Sequence, residues 1–155
     1  MREKILIAQG GGPTMVINKS LVGIIEESKK KFQVLGALNG VRGIINNQFI
    51  NLTKISSEKL KLIENSTGSA LGSTRDKPDK KYCDEICKVL KKEKITKFFY
   101  IGGNDSSDSL RIISEKAEND GYPIQCIHVP KTIDNDLILN DHTPGFGSAA
   151  KYVSS

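Results

Sequence analysis

The stretch IQCIHVPKTIDND, residues 124–136, joins an apolar run to a polar tip that carries two carboxylates, a lysine and a threonine. The apolar run predicts a buried β-strand at residues 124–129. Asp134 and Asp136 then follow the C-terminal end of that strand, which is where open parallel sheets bind their ligands. The stretch therefore predicts an α/β protein with a polar site at one edge of its sheet.

Alternating strands and helices extend outward from this stretch over the whole chain. Residues 39–53 are rich in Gly and Asn, which predicts short irregular pieces. No repeat or linker interrupts the alternation, so we expect one three-layer, Rossmann-like α/β domain with a mainly parallel sheet over residues 1–155. Apolar runs predict strands at 4–9, 32–38, 97–103 and 124–129, and helical spacing predicts helices at 14–31, 57–65, 78–94, 105–119 and from 145 onward.

The composition argues against several classes of protein. The chain has 155 residues, enough for one such domain, and a net charge of +5. Its lysines are scattered over amphipathic segments, which argues against a nucleic-acid partner. No apolar window is long enough to cross a bilayer, and Cys83, Cys87 and Cys126 lack the spacing of a zinc site. We expect a cytoplasmic protein with reduced thiols and no membrane partner.

Three glycine-rich loops are expected to meet at the same edge of the sheet, because the loops after parallel strands open on one side. The first, QGGGPT at residues 9–14, leads into a helix whose first amides suit an anionic phosphate, and Gly11 and Gly12 permit close approach. It matches neither the dinucleotide-binding nor the P-loop pattern of glycines. On its own this loop is explained equally well as a tight turn.

The second and third loops add charged side chains. GSTR, residues 72–75, brings Arg75, whose guanidinium can bind two phosphate oxygens at once. GGNDS, residues 102–106, brings Asp105 to the beginning of a helix, where it can cap the helix or face a metal-bound phosphate. A loop arginine often has no special role, and capping explains Asp105 as well as binding does.

The tip PKTIDND has a composition that phosphoryl transfer requires. Transfer to an alcohol needs a base near the hydroxyl, a divalent ion on the phosphates and a cation that offsets the developing charge. Lys131, Thr132, Asp134 and Asp136 are candidates for these tasks. The structural alternative is a turn in which the aspartates accept hydrogen bonds from backbone amides.

The ordered set GGGPTMVIN, GSTR, GGNDS, PKTIDND and PGFGSAAKY resembles the phosphofructokinase family, which phosphorylates the 1-hydroxyl of fructose 6-phosphate. The resemblance spans nearly the whole chain and implies the family's N-terminal α/β domain. It implies that Asp134 is the base, that Asp136 helps to hold Mg²⁺, and that Thr132 lies against the sugar phosphate or the transferred phosphoryl group. It further implies that the phosphoryl-donor site is lined by Gly11, Gly12, Arg75, Gly103, Asn104, Asp105 and Ser106.

The identity of the phosphoryl donor is suggested by two positions. The ATP-using branch of the family typically has glycine where this chain has Asp105 and Lys131. A carboxylate at 105 would repel the α-phosphate of a nucleotide, and Lys131 can pair with an oxygen of inorganic diphosphate, so the resemblance implies diphosphate as donor. Most of the family has an aspartate where this chain has Asn104. The asparagine side chain keeps a carbonyl oxygen that can bind a metal ion, but it lacks the negative charge. The implied Mg²⁺ ligands are Asn104, Asp105 and Asp136.

The resemblance also implies a longer, homo-oligomeric enzyme whose second domain makes most contacts to fructose 6-phosphate. We therefore expect residues 1–155 to be the N-terminal phosphoryl-donor and catalytic domain, and to have little activity alone. The alternatives are an ATP-dependent phosphofructokinase, a catalytically silent phosphate-binding module and a generic dinucleotide-binding domain. The last has least support, because the strand at 32–38 ends in Asn39 and Gly40 rather than in an acidic residue.

Overall fold

Five strands form one sheet with helices on both faces in the computed structural model, which describes residues 2–155. The strands are β1 (Lys4–Gln9), β2 (Gln33–Ala37), β3 (Phe49–Asn51), β4 (Ile95–Gly102) and β5 (Gln125–Pro130). The helices are α1 (Ile17–Ser28), α2 (Val41–Ile45), α3 (Ser57–Glu64), α4 (Lys80–Lys92), α5 (Asn104–Asn119) and α6 (Phe146–Ser154).

The sheet has the strand order β3-β2-β1-β4-β5. All neighbouring strands are parallel except β3, which runs antiparallel to β2. Leu6 in β1 pairs with Leu35 on one side and Phe98 on the other, so β1 lies in the middle of the sheet. The predicted mainly parallel α/β fold is confirmed, and the C-terminal ends of β1, β4 and β5 lie side by side at one edge.

Two apolar cores hold the helices against the sheet. Side chains alternate along a strand, so Leu6 and Ala8 pack on the face covered by α4 and α5, whereas Ile5 and Ile7 pack on the face covered by α1. These four side chains are completely buried. Burying one such aliphatic side chain contributes roughly 1.5–3 kcal/mol, so the centre of the sheet is a rigid base for the loops at its edge.

Three differences between the predicted and the observed elements have a local reason. The first helix spans Ile17–Ser28 rather than the predicted 14–31, because residues 14–16 and 29–31 form turns at its two ends. Helix α4 begins at Lys80, since Asp79 caps it by accepting a hydrogen bond from the Tyr82 amide at 2.8 Å. Residues 39–53 contain the short helix α2 and the three-residue strand β3 where irregular structure was predicted.

The strand β5 is less buried than its apolar sequence predicts. It pairs with β4 at the edge of the sheet, and its side chains from Cys126 to Val129 are half-buried. His128 is half-buried, with its Nε2 3.0 Å from the Gly102 carbonyl oxygen. The three cysteines are free thiols, as predicted. In residues 2–155, no helix combines the length and the apolar character that a membrane crossing requires.

Candidate active site

One cavity of about 680 Å³ lies at the C-terminal edge of the sheet. Four chain segments surround it: the glycine loop after β1, the segment that precedes α4, the beginning of α5 and the tip after β5. The structure brings every candidate site residue from the sequence to the wall of this one cavity. They are Gly11, Gly12, Arg75, Gly103, Asn104, Asp105, Ser106, Lys131, Thr132, Asp134 and Asp136.

Close backbone packing explains the first glycine loop. The Gly10 amide donates to the Ile101 carbonyl oxygen at 2.8 Å, which joins the ends of β1 and β4. A methyl group at Gly10 would lie 2.6 Å from the Tyr100 hydroxyl and 2.8 Å from Ser106 Oγ, so a larger residue does not fit. Ser106 is itself buried, and its hydroxyl fills the space between Gly10 and Gly102. The next two glycines, Gly11 and Gly12, have no side chains and line the cavity with their backbone.

A buried amide fixes the second loop against the first. Gln9, fully buried at the end of β1, donates to the Ile17 carbonyl oxygen and to Asn18 Oδ1. Its Oε1 accepts from Ser69 Oγ at 2.7 Å and from the Leu71 amide at 2.9 Å. Both hydrogens and both lone pairs of the amide are used, which is what a buried glutamine requires. This network ties the segment that leads to Arg75 to the strand that leads to the glycines.

Lys131 is a buried cation in the wall of the cavity. Its side chain is covered by the glycine loop, with Nζ donating to the Gly12 carbonyl oxygen, and only 5% of the residue is exposed. A Cβ at Gly11, where φ is +73°, would lie 3.2 Å from that Nζ. Burial lowers the pKa of Lys131, the Asp134 carboxylate partly offsets this effect, and the Arg75 charge lowers the pKa further.

The two aspartates of the tip are exposed to the cavity, and short polar contacts hold them. Asn104 Nδ2 donates to Asp136 Oδ2 at 2.8 Å, which joins the beginning of α5 to the tip. The Asp134 amide donates to Thr132 Oγ1 at 3.1 Å, so the threonine hydroxyl supports the turn that carries Asp134. The structure thus contains the turn of the structural alternative, but both carboxylates still face the cavity.

Asp105 makes a contact that the sequence did not predict. It does not cap α5, whose N-cap is Gly103 without a side-chain hydrogen bond. Its Oδ2 lies 3.1 Å from Lys77 Nζ instead, and both side chains are exposed. Lys77 also lines the cavity, as do Asp76, Thr74 and Thr14. The signal for Lys77 and Asp76 was present, because they directly follow the GSTR motif in the same loop.

A divalent cation fits the donors at one end of the cavity. Mg²⁺ is commonly bound by one or two protein oxygens together with waters and substrate phosphates. Asp136 offers a carboxylate, and Asn104 offers a carbonyl oxygen once its amide, which now donates through nitrogen, is turned over. Asp105, the third implied ligand, is engaged by Lys77. In the described residues no three His, Cys, Asp or Glu side chains converge on a metal position.

Comparison with known proteins assigns the family. The phosphofructokinase family model matches residues 4–155, which is nearly the entire chain. The chain belongs to the phosphofructokinase family. A protein of Rhodospirillum rubrum named pyrophosphate–fructose 6-phosphate 1-phosphotransferase is 57% identical over 99% of the chain, and a protein of Xanthomonas campestris with the same name is 42% identical over 97%.

The structural comparison agrees with this phosphofructokinase assignment. The crystal structure of a pyrophosphate-dependent phosphofructokinase from Marinobacter aquaeolei superimposes with a TM-score of 0.87 at 37% sequence identity and covers 98% of this chain. The chain spans 39% of the length of the Rhodospirillum protein, 37% of the Xanthomonas protein and 39% of the Marinobacter chain. The phosphofructokinase fold is therefore established for residues 4–155.

Proposed function

We propose that the complete gene product phosphorylates the 1-hydroxyl of fructose 6-phosphate with inorganic diphosphate as donor. In this proposal residues 1–155 are the N-terminal phosphoryl-donor and catalytic domain of a cytoplasmic, homo-oligomeric enzyme. The observation that carries the proposal is that Lys131 and Asp105 both line the cavity. The Rhodospirillum and Xanthomonas relatives, whose names specify pyrophosphate as the donor, support it. Because the diphosphate reaction is close to balanced, the enzyme would serve glycolysis and its reverse.

The donor side of the cavity suits a small, highly charged anion. Lys131, Arg75 and Lys77 supply three cations around it. The exposed backbone of Gly11 and Gly12 and the first amides of α5 add uncharged donors at the positive end of a helix. We assign diphosphate binding to these groups, with the guanidinium of Arg75 able to bind two oxygens at once.

The chemical step is assigned to the tip after β5. The 1-hydroxyl of the sugar gives its proton to the Asp134 carboxylate, and its oxygen bonds to the terminal phosphorus of diphosphate. The bridging P–O bond breaks and inorganic phosphate leaves. Lys131 offsets the charge that develops on the leaving group. Asp136 and Asn104 would hold Mg²⁺, which when bound neutralises charge on the phosphate oxygens.

Selection against ATP is assigned to Asp105. A nucleotide extends beyond its transferred phosphate and needs room and positive potential for its α-phosphate. The Asp105 carboxylate, held by Lys77 on the cavity wall, supplies negative charge instead. Like charges brought together in a cleft are costly, so this position disfavours the longer donor. The alternative function is that of an ATP-dependent phosphofructokinase. It would be favoured if replacement of Asp105 did not change which donor the enzyme prefers.

The test is an aldolase-coupled assay on the complete gene product with fructose 6-phosphate and Mg²⁺, in which diphosphate is compared with ATP. We expect turnover with diphosphate alone, and Asp105→Gly is expected to raise the rate with ATP. Asp108→Gly is the matched control, since Asp108 is an exposed aspartate in the same helix that pairs with Arg111. Turnover with ATP alone would refute diphosphate as donor. Activity with neither donor, with diphosphate binding retained, would favour a silent binding module.

A further inference from the structure

A charged cluster lies directly behind the cavity segment that carries Arg75 and Lys77. Arg42 in α2 donates to Asp76 through two nitrogens, with Nε 3.0 Å from Oδ2 and Nη2 2.5 Å from Oδ1. Tyr82 in α4 donates its hydroxyl hydrogen to Asp76 Oδ2 at 2.9 Å. Two helices thus hold the carboxylate between the two cavity cations. We call Arg42, Asp76 and Tyr82 the anchor cluster.

The segment around Asp76 has no regular secondary structure to fix its shape. Residues 73–79 lie between the glycine turn at 72 and the first residue of α4. On the cavity side, Ser73 Oγ donates to the Gly11 carbonyl oxygen at 2.6 Å, and the Gly11 amide donates to the Thr74 carbonyl oxygen at 3.0 Å. On the opposite side, Asp76 of this segment contacts Arg42 of α2 and Tyr82 of α4. The segment is therefore clamped between the glycine loop and α2 and α4.

The cluster also controls charge at the cavity wall. Arg42 holds the pKa of Asp76 below its usual range, chiefly by hydrogen bonding, and burial together with Asp76 raises the pKa of Tyr82. Asp76 is therefore ionised and Tyr82 is a hydrogen-bond donor at neutral pH. The Asp76 side chain is 20% exposed and lines the cavity, where Asp105, Asp134 and Asp136 already place negative charge. Asp76 is the fourth carboxylate at this cavity, and Arg42 neutralises its charge, which would otherwise repel an anionic ligand.

We propose that Arg42, Asp76 and Tyr82 are positioning residues that set the affinity of the cavity for diphosphate. They hold the backbone between Arg75 and Lys77 so that both cations face the same space. Arg42 and Tyr82 lie outside the cavity lining, and the Asp76 carboxylate is engaged by them, so their effect reaches the ligand through Arg75 and Lys77 on the donor side of the site. This inference rests on the proposed function for the identity of the ligand, and it adds residues of α2 and α4 to the site.

The experiment measures diphosphate binding by isothermal titration calorimetry and steady-state kinetics on the complete gene product. Asp76→Asn keeps the shape of the side chain and the acceptor for Tyr82, but it loses the charge and the two-pronged contact with Arg42. We expect the dissociation constant for diphosphate to rise about tenfold, the equivalent of one charge-assisted hydrogen bond. The KM for fructose 6-phosphate should stay unchanged. Arg42→Met should weaken diphosphate binding more than Asp76→Asn does, because it also leaves the Asp76 carboxylate in the cavity wall without its cation. Arg42→Lys should restore part of the affinity.

The matched control is Asp108→Asn, which breaks an exposed aspartate–arginine pair on α5 outside the cavity lining. It should alter neither constant. The proposal is overturned if Asp76→Asn binds diphosphate like the wild type, or if it raises both constants in the same proportion while lowering the melting temperature. Wild-type binding of diphosphate without turnover would refute the proposed function and still test the anchor cluster. A wild type that binds no diphosphate would overturn both.

Discussion

The two halves of the cavity are built in different ways. The donor half comprises residues 9–12, 72–77 and 102–106 together with Lys131, and it is held by the buried Gln9, by close glycine packing and by the anchor cluster. The acid loop, residues 132–143, carries Asp134 and Asp136 on an exposed turn. Its main internal support is Asn135, which accepts from the Thr143 amide at 2.9 Å and donates to the Asp141 carbonyl oxygen.

Because of this difference, we expect donor binding and the chemical step to depend on different parts of the chain. The donor half rests on the C-terminal ends of β1 and β4, where residues 5–9 and 100–102 are buried, so its geometry is set by the core. The acid loop projects Ile138 and Leu139 into solvent with exposed fractions of 91% and 103% and leads into α6, where no residue is buried. Donor binding should therefore depend on residues 2–131, whereas the orientation of Asp134 should respond to whatever packs on the acid loop.

The largest effect is expected when residues 1–155 are produced alone. Calorimetry should detect diphosphate binding, because the donor half is complete within this chain. The coupled assay should show turnover of fructose 6-phosphate about 10³-fold or more below that of the complete gene product, since the acceptor is not positioned. Comparable turnover by the two proteins would contradict the separation. Loss of diphosphate binding would show that the donor half also needs further packing.

Asp134→Asn should give the next largest effect. The amide cannot accept the proton of the sugar hydroxyl, and general-base catalysis contributes about 10²–10⁴-fold, so kcat of the complete gene product should fall by about 10³-fold. The melting temperature should be unchanged, because Asp134 is exposed. Diphosphate affinity should not fall, because the substitution removes a negative charge from the cavity wall. Asp141→Asn is the control in the same loop, since Asp141 holds Asn135 through its backbone. A fall in kcat of less than tenfold would assign the base elsewhere.

Two substitutions, one in each half of the cavity, should differ in how much they lower the free energy of unfolding. Gln9→Ala leaves the Leu71 amide and the Ile17 carbonyl without their partner in the core, and it should lower the free energy of unfolding by about 3 kcal/mol. Asn135→Ala, at a residue with φ of +57°, should lower it by only about 1 kcal/mol while reducing kcat through Asp134 and Asp136. Urea unfolding of both variants measures the difference, and equal losses would refute it.

Much of this arrangement was predictable because it follows from strong local patterns. The apolar runs at 4–9 and 97–103 predict central strands, and the rule that parallel strands end together brings Gly11, Asp105 and Lys131 to one edge. Arg75 reaches this edge in another way, because its loop follows α3 rather than a strand and is held there by hydrogen bonds to Gly11. The strand β3 was not predictable, since three residues acquire a strand conformation only by pairing with β2. The same holds for the half-buried state of β5, because the apolar sequence of a strand does not say whether it has one neighbour or two.

The side-chain pairings within the site were also beyond the sequence. The contact between Asn104 and Asp136 joins residues 32 positions apart, and its direction depends on how α5 and the acid loop approach each other. The ion pair of Lys77 with Asp105 depends in the same way on the path of the segment before α4. Residue type and spacing therefore predict which groups meet at the cavity, but not which of them are already engaged with one another.

The smallest expected effect is a pH dependence that comes from Lys131. Because its pKa lies below the usual 10.5, Lys131 releases its proton from the folded protein before the unfolded chain would do so. As pH rises through the lowered value, diphosphate affinity should fall about tenfold, the loss of one charge-assisted hydrogen bond. Two charged neighbours set this pKa in addition to burial: Asp134 raises it and Arg75 lowers it.

Stability should respond to the same titration with the opposite sign. Between the folded and unfolded pKa values the unfolded chain binds more protons, so the contribution of Lys131 to the free energy of unfolding rises with pH. Calorimetric titrations of diphosphate between pH 7 and the onset of unfolding, on wild type and Lys131→Met, isolate this residue, because titration of diphosphate itself is common to both. Lys77→Met is the matched control at an exposed lysine, and it should retain the alkaline fall in affinity. The same pH profile for wild type and Lys131→Met would show that the buried ammonium does not bind the donor, and the cationic character of the donor half would then rest on Arg75 and Lys77.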